Sequence, residues 1–474
     1  MWRASLLAAA GTLAAAGAVR ADTDTATRQL AHDIFRQLIE INTTDSVGSV
    51  TAASEAMAQR FRDAGFPEAD IHILGATERT RNRVVRLHGT GKRKPLLIIG
   101  HLDVVEARRE DWTTDPFQFV EKDGFYYGRG TQDMKNTDAI VVATLIRFKN
   151  EGYRPNRDII LALTAGEESG LNNGVAWLVQ NHRELIDAEF AVNSDDVGVY
   201  TDHGQPTRVQ IISSEKTYAD FQLAVTNPGG HSSIPVPDNA IYRLAAGLNR
   251  LAHYAFPFEL SDVTRAYYLQ QVGSSTIERA ADIEAMLRTP PDAAVIARLS
   301  TDRLDYAVTH STCVATRLEA GHANNALPQM ARAIVNCRVL PGHTAEAARQ
   351  TLIEVLADPS IAVKYIGSDG VIQDTAESRH ALVAPASRAD VLTAVQKVAG
   401  AMWPGAPVIP TMAVGASDAV HVAAMGIGTY CVSGQAIEQD DDRMHGQDER
   451  VGVEPFYRAV DFEYRFLKVL LAQP

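Results

Sequence analysis

"KPLLIIGHLDVVEA", residues 94–107, is an apolar run that stops on a histidine and, two positions later, an aspartate. Leu96 to Gly100 read as a short strand buried on both faces, the kind found inside parallel sheets. The loop that follows carries His101 and Asp103. A lone His-x-Asp in a loop also reads as a histidine satisfied by a neighbouring carboxylate. What the pair does therefore depends on what else the chain sets at its strand ends.

Outward from this strand, apolar segments alternate between strand and helix patterns. Residues 83–88, 95–100, 158–164 and 190–193 read as strands, and 137–149 and 173–181 as helices, after helical patterns at 26–41 and "SEAMAQRFRDAGF". Such alternation predicts an α/β layer around a mainly parallel sheet. The character changes near Ser213. "KTYADFQLAVTN" and, later, "ARAIVNCRVLPG" alternate with period two, as half-exposed antiparallel strands do, with helical patterns near Asn239 and over 264–305 between them. Helix-rich alternation resumes after Gly342 and ends in the amphipathic "EPFYRAVDFEYRFLKVLLA". The expected organisation is a catalytic α/β domain built from 22–212 and 343–474, with an α+β lid or dimerisation domain, 213–342, inserted.

Composition narrows the class of partner. The 474 residues are 46% hydrophobic and 22% charged, ordinary globular usage for more than one core. A net charge of -13 argues against nucleic acid or an anionic membrane surface and favours a small molecule or peptide. No segment after the N-terminus is long and apolar enough to span a bilayer. "MWRASLLAAAGTLAAAGAVRAD" carries an early cation, an apolar stretch and small residues at Ala18 and Ala21, so 1–21 read as an export signal and the mature protein as periplasmic or secreted. Cys313, Cys337 and Cys431 show no CxxC spacing and no even framework, so at least one thiol stays free.

Polar residues recur where strands end, the place where open α/β sheets bind ligands. After His101 and Asp103 come Asp133 in the glycine-rich "GRGTQDMKN", Glu167 and Glu168 in "TAGEESG", Asp195 and Asp196 in "NSDD", and His445 in "MHGQDERV". Adjacent acids after a strand are usually a solvated turn. Imidazoles and carboxylates converging from separate strand ends would repel as bare charges, whereas divalent metal ions would offset that repulsion.

Together with "GGHSSIP", "NNALPQ" and "CRVLPG", these segments, in this order, resemble the co-catalytic zinc metallopeptidases that include aminoacylase, carboxypeptidase S, acetylornithine deacetylase, succinyl-diaminopimelate desuccinylase and bacterial glutamate carboxypeptidase. The resemblance covers essentially the whole mature chain. It implies two zinc ions per subunit, with cobalt or manganese as possible substitutes. His101 and His445 would each bind one ion and Asp133 would bridge both, with Glu168 beside one histidine and Asp195 beside the other. Asp196 stays open as the alternative to Asp195, since the family more commonly has a single acid there. The resemblance makes Asp103 the carboxylate that orients the His101 imidazole, and Glu167 the general base for attack by a water at the metal pair. It makes His231 the group that stabilises the oxyanion, reaching over from the partner subunit of a homodimer formed through the inserted domain. Asn325, Arg338 and the turn of Gly415 and Ser417 become substrate-binding groups, Arg338 suiting a carboxylate through its fork.

The implied activity is hydrolysis of an amide bond beside a free carboxylate, in a dipeptide (carboxypeptidase- or dipeptidase-like) or in an N-acyl amino acid (aminoacylase-like). A serine hydrolase would need a nucleophile elbow, and "GASDA" lacks the final glycine of G-x-S-x-G. A catalytically inactive binding relative would have lost ligands or base, and all those positions are filled.

Overall fold

The computed structural model describes residues 25–170, 172–273, 275–367, 370–376 and 388–472. The expected export signal lies outside them. The central sheet is mixed, with parallel pairing at its heart. Strand Arg93–His101 lies between Arg157–Thr164 and Phe190–Asn193, parallel to both, and Phe190–Asn193 runs parallel to Gly428–Cys431. Strand Arg81–Leu87 adds antiparallel to Arg157–Thr164.

The unbroken apolar run of the opening stretch follows from this placement. Leu96 and Ile98 point into a core shared with the helices Thr25–Glu40, Val50–Asp63, Lys135–Asn150, Ala389–Met402 and Val453–Ala472. Leu97 and Ile99 point the other way, against Gly174–Asn181 and Ala419–Ala423. With both faces covered from Leu96 to Gly100, those positions stay apolar until the strand ends at His101.

A second, antiparallel sheet is ordered Thr312–Ala320, Met330–Val339, Thr217–Thr226, Ala362–Ile366, Ile372–Gln373. Its two alternating strands pair with each other, Thr217 opposite Val339 through Thr226 opposite Met330, and bury every second residue against the helices Ala240–Ala252 and Ala345–Leu356. The sheet and its core therefore run on past Gly342, through Ala345–Leu356 and Ala362–Ile366. Strand Thr312–Ala320 is its outer edge, with Val314 and Leu318 exposed.

Residues 262–309 form four short helices, Asp262–Val272, Ile277–Met286, Ala293–Leu299 and Arg303–Thr309. Ser261, Thr276, Asp292 and Asp302 cap their N-termini through side-chain oxygens, which divides the stretch. Their small core, including Tyr268, Ile283, Met286 and Val308, closes on Leu340, just past the strand Met330–Val339, and on Met412 of the central sheet. Among the described residues no helix is long and apolar enough to cross a membrane.

Two features escaped the sequence pattern. Cys313 and Cys337 face each other across neighbouring strands and form a disulfide, leaving Cys431 free and buried. Glu463 sits inside the core, where burial pushes its carboxyl up to about 8 from an ordinary 4.5. Between those values the unfolded chain has released this proton and the folded chain has not, so its contribution to stability falls as pH rises through the window. Glu463→Gln is expected to raise Tm at pH 8, reflecting up to about 4 kcal/mol, with the gain much smaller at pH 5. Thermal unfolding of both proteins at the two pH values checks this; an equal shift at both would contradict it.

Candidate metal centre

His101 is the last residue of its strand and sits opposite Thr164, so it emerges where two parallel strands end together. Gly100 before it has no room for a side chain: a Cβ there would lie 2.3 Å from the Asp138 carboxylate. The buried imidazole has its Nδ1 3.0 Å from the backbone carbonyl of Asp103. That contact turns Nε2 toward Asp133 Oδ1 at 3.0 Å and Asp195 Oδ1 at 3.6 Å.

The Asp103 carboxylate itself stands 3.8 Å from that Nδ1. It accepts instead from the backbone N–H groups of Glu167 at 3.3 Å and Glu168 at 3.0 Å. The orienting role expected of its side chain thus falls to its carbonyl. Two successive N–H groups of a turn make a better anion cradle than one imidazole edge, and the carboxylate goes there.

Asp133 is carried by the turn between Phe125–Tyr127 and Lys135–Asn150, where Gly130 takes φ 91. A fully buried carboxylate, Glu449, organises that turn. It accepts from the N–H groups of Gly130 (3.2 Å), Gln132 (2.6 Å) and Asp133 (3.2 Å) and is paired with buried Arg129. The Arg129 guanidinium also donates to the carbonyls of His445 and Gly446, so one ion pair aligns both the acid and the second histidine.

His445 Nε2 lies 3.1 Å from Asp133 Oδ2 and 3.0 Å from Glu168 Oε2. Asp133 thus offers one oxygen to each histidine. Burial opposes its charge, but the bonds to His101 and His445 hold it well below the ordinary carboxylate range. The carboxylates of Asp133 and Glu168 push His445 up to about 10. Burial disfavours a charged His101, yet Asp195 and Asp133 raise it well above the usual imidazole range. Both positions favour a cation. Glu168 Oε1, moreover, is buried with no hydrogen-bond partner.

The ligand atoms fall into two groups, His101–Asp133–Asp195 and Asp133–Glu168–His445, each within 4.8 Å. Imidazole nitrogen with carboxylate oxygen, shared at Asp133, fits a pair of divalent ions. Asp196 is in neither group; it turns back to accept from the N–H of Val197 at 2.6 Å. Glu167, between these groups in the chain, is raised well above the ordinary carboxylate range by burial and by the charges of Asp195, Asp418 and Glu168.

Two cavities meet at this cluster and share Glu167, Glu168, Ser417 and His445 as a common wall. The first, about 530 Å³, is lined on its far side by Arg338 and Tyr218 of the second sheet, the guanidinium stacked 4.6 Å above the ring. The second, about 450 Å³, runs toward the helices of residues 262–309 and includes Gly415. Ser417 donates both its N–H and its hydroxyl to Glu215, each at 2.8 Å. Ser417, expected to bind substrate, is therefore already bonded through both groups to an internal carboxylate. His231 and Asn325 lie together on the small pairing of Gly230–His231 with Ala326–Leu327, where Ser232 N–H donates to Asn325 O. Neither lines either cavity.

Residues 97–469 match the profile described as Peptidase family M20/M25/M40. The chain belongs to this family. As an M20 chain it is a hydrolytic metalloenzyme. It is 26% identical over 383 residues to the N-fatty-acyl-amino acid synthase/hydrolase of Xenopus tropicalis, covering 79% of this chain and 72% of that protein. It is 27% identical over 385 residues to a probable carboxypeptidase S-like protein of Dictyostelium discoideum, covering 79% and 71%. Among solved structures, an M20 metallo-carboxypeptidase from Sulfolobus solfataricus superposes with TM-score 0.71 at 16% identity, covering 94% of this chain and 99% of that one. A Bacillus subtilis protein titled a dinuclear metal binding peptidase of the same family gives 0.60 at 11%, covering 95% and 100%. These likenesses establish the M20 fold.

Sequence reasoning missed Glu449 and Glu215. Glu449 stands inside the quoted "MHGQDERV", but nothing in the pattern marks it as buried. Glu215 ends a strand as the motif acids do, and that position was the available signal.

Proposed function

We propose that this chain hydrolyses an amide bond next to a free carboxylate, as a carboxypeptidase or dipeptidase does. The observation that carries the reading is the first cavity, in which Arg338 stands across from Glu167, Glu168 and His445. A substrate carboxylate held bidentately by the guanidinium would set the adjacent amide over the metal cluster. Zinc is the ion we assign, two per subunit, with cobalt or manganese as substitutes, held by His101, Asp133, Asp195, Glu168 and His445. When bound, these ions polarise the amide carbonyl and make water acidic enough to attack at neutral pH. Glu167 takes the proton from the attacking water and gives it to the leaving nitrogen. A carboxyl raised by burial suits both halves of that exchange.

His231 and Asn325 complete the site from a partner subunit in this reading. Their position outside both cavities supports it, as does the exposed edge of Thr312–Ala320, an available surface for pairing the inserted domains of two copies. Export to the periplasm or medium is proposed from the leader-like residues 1–21 and agrees with the Cys313–Cys337 disulfide, a bond that persists in oxidising compartments. N-acyl amino acids are the second candidate substrate class, favoured by the named activity of the Xenopus relative.

Chelation is expected to abolish hydrolysis of both dipeptides and N-acyl amino acids, and added zinc to restore it. An amidase indifferent to chelator, or a metal-loaded protein that turns over esters or phosphoesters but no amide, would defeat the proposal.

A further inference from the structure

Asp195 leaves the central sheet two residues after the strand Phe190–Asn193 ends, and its carboxylate stands 3.6 Å from the His101 imidazole. A carboxylate at the start of a loop keeps one direction only if the backbone beneath it is fixed. Asn193 fixes it: its buried amide Oδ1 accepts from the Asp195 N–H at 3.2 Å. The Nδ2 of the same amide donates to the Ser417 hydroxyl oxygen at 3.0 Å. Ser417 in turn gives its hydroxyl and its N–H to Glu215, each at 2.8 Å. Three strand ends meet in this way. Glu215 closes Gln205–Glu215 opposite Ala413, the last residue of Val408–Ala413, and Ser417 stands in the turn just beyond.

The order of donors along this chain carries the argument. An ionised carboxylate accepts only, so Glu215 takes the single hydroxyl proton of Ser417. The Ser417 oxygen is left to accept, and the Asn193 amide must offer it the NH2 end. That choice turns the amide oxygen toward the Asp195 N–H. The reversed amide would set two donors against each other there. Glu215 thus dictates, through two side chains, which way the amide beneath Asp195 points.

None of the three residues belongs to either ligand group. The other group is held by different partners: Glu449 on the Asp133 N–H, Arg129 on the His445 carbonyl and Asp103 on the Glu168 N–H.

We infer that Glu215, Ser417 and Asn193 are positioning residues for Asp195, and that their chain sets the hold on the ion of the His101–Asp133–Asp195 group alone. Ser417 thereby serves the metal centre rather than the substrate. The inference rests on the two-ion reading above.

The test measures the zinc affinity of the full-length protein by competition with a chromogenic chelator. The assay runs at pH 8, above the value of about 7 to which burial pushes the Glu215 carboxyl. Ser417→Ala, Asn193→Ala and Glu215→Gln are each expected to weaken one of the two ions roughly 10- to 100-fold and to leave the other within about twofold. A chain cut twice loses no more than a chain cut once, so Ser417→Ala combined with Asn193→Ala is expected to match the weaker of the two single variants. In His101→Ala, which keeps only the other ion, adding Ser417→Ala is expected to leave the remaining affinity unmoved. Equal loosening of both ions, read beside Tm, would mark a general defect of the fold and overturn the inference. Unchanged zinc affinity in all three variants, or fully additive losses in the double variant, would do the same. So would a raised KM in Ser417→Ala with both ions held as in the parent, which would return Ser417 to the substrate. A parent protein that binds fewer than two zinc ions would remove the two-ion reading itself.

Discussion

Glu167→Gln is expected to lower kcat on the order of 1000-fold while metal content and KM stay near those of the parent. The substitution keeps size and hydrogen-bonding atoms but removes the capacity to accept a proton. The Glu167 side chain lies on the wall common to both cavities, and its backbone N–H is held by Asp103. An amide carboxamide at this point therefore leaves the surrounding turn as it is. Steady-state kinetics on a dipeptide and on an N-acyl amino acid, with metal measured by mass spectrometry, separates the base from its neighbours. A variant within tenfold of the parent would remove Glu167 from the chemistry. A variant that loses metal would make it a ligand.

His101→Ala is the second large effect. The imidazole is buried between Asp133 and Asp195 and is the only nitrogen donor in their group. Its loss leaves carboxylates facing one another around a hole. The bound metal is expected to fall from two ions per subunit to about one, and kcat/KM by more than about 100-fold, with partial recovery at high zinc concentration. Asp103→Ala should differ in kind. Its carboxylate holds the Glu167–Glu168 turn, so its loss is expected to disturb the proposed base Glu167 and the proposed ligand Glu168 while the His101 imidazole keeps the residue-103 carbonyl and the Asp133 carboxylate beside it. Full zinc and full rate in His101→Ala would force withdrawal of the whole site assignment.

The sequence was most informative where chemistry and topology coincide. An aliphatic run covered on both faces has nowhere to put a polar group until it ends, which is why His101 after Leu96–Gly100 could be picked out and why a parallel α/β layer followed from the alternation. Amphipathic helices carry no such address. Ala345–Leu356 has the same periodicity whichever sheet it covers, so its place on the second sheet was not legible from the pattern. Strand register was equally hidden, and with it the meeting of Cys313 and Cys337. At loop level the pattern does not say which way an acid faces: the Asp195 carboxylate stands near His101, while that of Asp196 accepts from Val197. Glu449 lay in plain view in its motif, but a buried acid is recognisable only by the three N–H groups it collects.

Those bonds join residues more than 300 positions apart: Glu449 to Gln132 is a separation of 317, and His445 to Asp133 is 312. The turn bearing Asp133 can meet its organiser only after more than 300 further residues have been made. The early strands can pair while the chain is still growing, yet the centre they frame stays open until His445 and Glu449 arrive. A chain stopped before Glu449 would carry His101, Asp133 and Asp195 without the carboxylate that organises the Asp133 turn.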